Sequence, residues 1–253
     1  MVLLGFELAS WIGASFACCA VADQALRLCL RDGQARWYLI HALVNAVVVV
    51  LVVPDCVTLL TEPLRALEAP YTDAPLAITV GLHLFHCVLQ FRTLAVIDWL
   101  HHLVSNMLVC GLIFPFRYGP LVSWGCLFVC GLPGGIDYFL LFLVKIGKLT
   151  KLDEKRANRV LNMWVRLPGI VSFIPFAWVA HLSGRSHVPG TVLALQAALN
   201  AVNGIYFADR VVANCALSVE RLTATGAGAA VLSKGQNDHL NTADEQQAAK
   251  KAR

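Results

Sequence analysis

An all-α polytopic membrane protein, a seven-transmembrane-helix bundle with a disordered C-terminal tail, is the fold class that three observations predict. The 253-residue chain is 58% hydrophobic and only 14% charged, where a soluble domain carries roughly a quarter charged residues. Its apolar residues gather into seven runs of about 20, the length a helix needs to cross the hydrocarbon core. Lys and Arg collect in some connectors and avoid others, the bias that orients spans with their basic loops in the cytosol.

The spans follow in order. Val2–Val21 has the length of a signal peptide but no basic start, and Glu7 sits inside it, so it is expected to stay as a helix. Arg27, Arg31 and Arg36 follow, making 1–35 a first transmembrane helix with a basic cytosolic loop. Trp37–Leu60 leads into the acidic connector "TEPLRALEAPYTDAP", and Ala74–Phe91 returns towards a turn held by Arg92. Thr93–Phe116 and Pro120–Val144 come next, then the basic loop Lys145–Arg159, then Val160–Leu182 and Val188–Ala213. Residues 36–213 would thus form a six-helix membrane domain, with the N-terminus lumenal and the C-terminus cytosolic. Residues 214–253, rich in Ala, Gly and polar residues without a periodic apolar face, predict a flexible cytosolic tail. The net charge of +4 is accounted for by the loops and speaks against nucleic acid as a partner. Lys250 and Lys251 stand at the third and fourth positions from the end, which resembles a dilysine retrieval signal and implies the endoplasmic reticulum. Nine scattered cysteines, an odd number, predict no disulfide framework.

Polarity inside the spans is the functional clue. In "IDWLHHLVSNM" the residues Asp98, His101, His102, Ser105 and Asn106 fall at i, i+3, i+4, i+7 and i+8, one face of a helix. An ionised aspartate at such depth costs about 2.5–3.5 kcal/mol on insertion scales, so the stripe must face partners or a wet cavity. Other spans offer polar residues at similar depth: His41 and Asn45, His83 and His86, Asp137, Asn162 and Arg166, and Asn200 and Asn203. These residues predict one internal polar chamber. The amides Asn45, Asn106, Asn200 and Asn203 are equally suited to holding helices together, whereas three titratable groups on one stripe exceed what packing needs. A histidine beside a carboxylate is a general-base arrangement. His101 or His102 would be the base, and Asp98 or Asp137 the orienting group. Arg166, with His41, His83, His86, Asn162 and Asn203, would line the lipid-binding part. A di-iron centre needs three histidine boxes, and "HLFH" and "DWLHH" are the only two approximations, so no metal is expected. A retinal Schiff base is excluded because Val188–Ala213 holds no lysine.

The segments "RWYLIHALVN", "IDWLHHLVSN" and "RVLNMWVRLPGI" occur in an order that resembles the TLC-domain family, which includes the ceramide synthases, the translocating-chain-associating membrane protein and small lipid-homeostasis proteins. The resemblance runs from Arg36 to about Arg210. It implies that His101 and His102 correspond to the paired histidines regarded as catalytic in the ceramide synthases. The chain departs from those enzymes after the pair, with "HHLVS" in place of a threonine pattern. It departs again at "GLPGGIDYFLLFLVK", where only Asp137 and Lys145 can be matched to their acidic stretch. The first expectation is therefore a protein that binds or regulates membrane lipids through the chamber. The second is a lipid N-acyltransferase with long-chain acyl-CoA as co-substrate. No cofactor is expected, membrane lipids are the expected partners, and a homo-oligomer is left open.

Overall fold

The computed structural model describes residues 2–89, 91, 94, 96, 99, 102, 113–116 and 118–224. Among them every regular element is a helix. α1 spans Val2–Leu26, α2 Gly33–Thr61, and α3 is the single turn Pro63–Ala66. α4 spans Ala74–Leu89 and α7 Gly190–Ala224. α5 (Pro120–Lys145) and α6 (Lys151–Leu182) are composite helices. Four of them, α2, α5, α6 and α7, are long and apolar enough to cross a membrane, and α4 is a shorter apolar helix. The fourth expected span, Thr93–Phe116, lies mostly outside the described residues, as do the residues after 224, Lys250 and Lys251 among them.

Two expected boundaries are corrected. Lys151–Leu161 is helical and runs straight into the rest of α6, so the basic connector shrinks to the turn between Lys145 and Lys151. The stretch is strongly charged, which hid it from a search for apolar runs. Thr150 caps it, its hydroxyl accepting from the Asp153 N–H, and Asp153 and Glu154 suit the positive first turn. α7 likewise continues past Ala213, making 214–224 helical where a flexible tail was expected.

The helices pack in a chain of neighbours: α1 on α4, α4 on α2, α2 on α5, and α6 between α5 and α7. Close approach depends on small residues. A Cβ on Gly81 of α4 would lie 2.6 Å from the Ile12 carbonyl oxygen and Ser15 Cβ of α1. There the Ser15 hydroxyl donates to the Ile78 carbonyl at 2.8 Å. Such pairs are what remains to hold helices where lipid cancels the hydrophobic drive. Outward faces are apolar: α2 exposes Val47, Val50, Val53, Val57 and Leu60, a surface that lipid solvates and water does not.

Both composite helices contain one wide π-type segment, Cys126–Gly131 in α5 and Asn162–Arg166 in α6. Each stands two residues before a proline, Pro133 or Pro168. Proline lacks an N–H and crowds the carbonyl four residues back, and a wider turn absorbs that mismatch. At the crossing of the two helices the Trp124 indole donates to the Gly169 carbonyl at 2.9 Å.

The connectors sort to two ends. Arg185, after α6, pairs with Glu68, after α2. At the other end Asp32 caps α2, accepting from the Gln34 and Ala35 N–H groups, and Lys145 adds its positive field there. Those contacts, the Ala35 bond foremost, hold the Asp32 carboxyl below its ordinary value. The same end carries a buried ion pair: Arg36 Nε lies 2.8 Å from Asp23 Oδ1, tying α2 to α1.

Candidate functional site

Between α2, α4, α5, α6 and α7 lies a cavity of about 360 Å³. Its apolar part is lined by residues such as Leu76, Leu121, Val122 and Phe173. Its polar part takes one or more side chains from each helix: His41 from α2, His83 from α4, Asp137 from α5, Arg166 from α6 and Asn203 from α7. Five of the expected site residues are thus brought to one cavity. His86, His102 and Asn162 stand behind that wall, in contact with residues that form it. Asp98 and His101 lie outside the described residues.

One side of the polar wall is a group of stacked rings. His41 donates through Nδ1 to the Trp37 carbonyl at 3.0 Å, the only role open to it since that oxygen can only accept. Its ring stacks on His86 (centroids 4.0 Å apart) and meets Tyr138 of α5 at 4.1 Å. The Trp37 indole donates to His86 Nδ1 at 3.3 Å. His83 and His102 share a hydrogen bond, Nδ1 to Nδ1, at 3.1 Å. His86 is 0% exposed, and its Nε2 has no hydrogen-bond partner among the described residues.

The other side is a ladder along a single helix. Glu154, Asn158, Asn162 and Arg166 are spaced four apart on α6 and face inward together. Asn158 donates to Glu154, Asn162 to Asn158, and Arg166 to Asn162 Oδ1 at 2.8 Å. Glu154 is 1% exposed, with Lys155 Nζ 3.3 Å from its Oε2. Asp137 is the carboxylate beside Arg166, yet the two form no ion pair among the described residues. Asp137 Oδ1 and Arg166 Nε are buried without hydrogen-bond partners among the described residues, and so is Oε1 of Gln196 on α7. All three residues line the cavity. The residues reach the cavity, but these three atoms are closed off from it, and leaving buried polar atoms unsatisfied is costly.

Several of these residues escaped the sequence reading. Glu154 and Asn158 were hidden in a segment read as a loop, although their four-residue spacing to Asn162 and Arg166 was there to be seen. Gln196 shares a face with Asn200, donating to it at 3.5 Å, and was not among the expected site residues. Tyr138 carries no polar pattern of its own, so only packing could reveal it.

This arrangement defines a class: an all-helical protein with, among the described residues, four helices apolar enough to cross a membrane, enclosing a cavity polar on one side and apolar on the other. No family model, curated protein or solved structure matches the chain.

Proposed function

We propose that the chain is a seven-span membrane protein of the endoplasmic reticulum, related to the TLC-domain proteins, that binds or regulates membrane lipids through this cavity. The N-terminus would be lumenal and the C-terminus cytosolic. The observation that carries the reading is the two-sided lining of the cavity, apolar along Leu76, Leu121, Val122 and Phe173 and polar where His41, His83, Asp137, Arg166 and Asn203 meet. A lipid whose head group both donates and accepts hydrogen bonds fits that polar part, and its chain fits the apolar part. Native mass spectrometry with lipid extraction from the purified protein tests this. A co-purifying polar lipid, lost in Arg166→Leu at unchanged yield, is expected; a wild-type protein free of bound lipid rejects the reading.

A second reading, lipid N-acyl transfer from acyl-CoA, is favoured by one observation: His102 is buried in the ring group next to the cavity. His101 or His102 would take the proton from the acceptor amine. General-base catalysis is worth about 10²–10⁴-fold, so His101→Ala and His102→Ala would each remove most turnover. A normal cellular lipid profile in both variants, at normal abundance, eliminates this reading.

A further inference from the structure

The histidines support something the lipid reading does not require. One ring nitrogen from each of His83, His86 and His102 can be chosen so that all three lie within 4.8 Å of one another. His86 and His102 are buried, and His83 lies on the cavity wall. The 3.1 Å separation of His83 Nδ1 and His102 Nδ1 is close to the roughly 3.3 Å between two nitrogens bound at about 2.0–2.1 Å to a tetrahedral ion. We propose that His83, His86 and His102 bind one zinc(II) ion in the wall of the cavity, with its fourth position turned to the ligand or to water. The expectation of no metal rested on the eight or so ligands of a di-iron centre; a single zinc needs only three.

Three neutral imidazoles with no carboxylate or thiolate among them suit a borderline d-block cation, and three protein ligands with an open position is the catalytic type of zinc site. Bridging the pair requires the ring that now carries its proton on Nδ1 to move it to Nε2. His86 imposes a further condition. If its Nδ1 ligates, the Trp37 N–H is displaced. If its Nε2 ligates, Nδ1 must carry the ring proton and can no longer accept from Trp37. Zinc therefore replaces the Trp37–His86 hydrogen bond in either case. His41, with Nδ1 committed to the Trp37 carbonyl, stacks on His86 and would fix the plane of that ligand.

The test is elemental analysis of the full chain in detergent. It is purified through a tag free of histidine and equilibrated with micromolar zinc chloride before excess is removed. About one zinc per chain is expected. His83→Ala and His102→Ala should fall to about a tenth or less, while His181→Ala and Trp37→Phe should keep it. Trp37→Phe keeps an aromatic ring against His86 while removing the hydrogen bond that zinc must break. Folded wild type without zinc, or full zinc in monodisperse His83→Ala and His102→Ala, overturns the proposal. Should those variants fail to fold, cobalt(II) titration of the wild type decides. Visible tetrahedral bands that zinc abolishes support the site, and their absence overturns it. Lipid content is measured separately, so failure of the zinc site leaves the lipid reading standing.

Discussion

The two sides of the cavity's polar wall are built by different means. The ring side gathers His41, His83, His86, His102, Trp37 and Tyr138 from four parts of the chain, and its cohesion is the contact between those parts. The ladder side draws Glu154, Asn158, Asn162 and Arg166 from one helix, where the four-residue period aligns them before any partner arrives. The ring side should therefore depend on helix docking and the ladder side on local helix geometry. That difference can be broken by experiment.

The largest effect should come from the anchor of the ring side. Asp23→Ala removes the carboxylate that holds Arg36, the residue before Trp37, and leaves a buried guanidinium unpaired. Losing one partner of a buried pair costs about 3–5 kcal/mol. The lower end is expected here, since Arg36 keeps its bonds to the Leu30 and Arg31 carbonyls. Thermal unfolding in detergent would measure it as a loosening of α1 from α2.

Asn162→Leu should come next, at about 1–3 kcal/mol, because it removes the partner of both the Asn158 side-chain oxygen and an Arg166 N–H in a buried setting. If the proposed lipid binding holds, the same change should also lower the lipid that co-purifies, at unchanged ring-side packing. A variant as stable as the wild type would show that the ladder is ornamental.

A smaller effect, about 1 kcal/mol, is expected for Asp32→Ala, the cap at the start of α2. Its sign with pH follows from the lowered carboxyl, whose first cause is the Ala35 N–H. The stabilisation is complete above the usual carboxylate value of ~3.9 and is lost as pH falls through the depressed folded value. Wild type and Asp32→Ala should then converge in melting temperature at low pH and differ at neutral pH. The smallest effect should be that of His41→Leu, roughly 0.6 kcal/mol, typical of one polar contact between membrane helices. A loss of several kcal/mol would mean that the ring side is itself a cooperative unit.

Much of this architecture could be seen in the linear chain. Long apolar runs located α2, α4, α5 and the start of α7 to within a few residues, since an apolar helix has few other fates, but the charged end of α7 runs past the expected Ala213 to Ala224. His41, His83, Asp137, Arg166 and Asn203 stood out because polar residues in such runs need a reason, and all five line the cavity. The start of α6 was missed because Lys151–Leu161 is amphipathic and charged: an apolar-run criterion cannot see a helix whose buried face is Glu154 and Asn158.

What the sequence determined by itself was therefore composition-driven: an all-helical chain, apolar runs of membrane-crossing length, and a set of intrahelical polar residues that had to face inward; seven spans were expected, and four helices among the described residues are long and apolar enough to cross. Periodicity within one helix was also enough, in principle, for the Glu154-to-Arg166 ladder. Tertiary structure alone decided which polar residues meet. No spacing rule pairs His83 with His102, stacks His41 between His86 and Tyr138, or leaves Asp137 and Arg166 side by side without closing on each other. Those contacts depend on how close helix axes come, and that is set by single small residues such as Gly81 and by the wide turns before Pro133 and Pro168. Such features act through distances between segments far apart in the chain, which linear order does not encode.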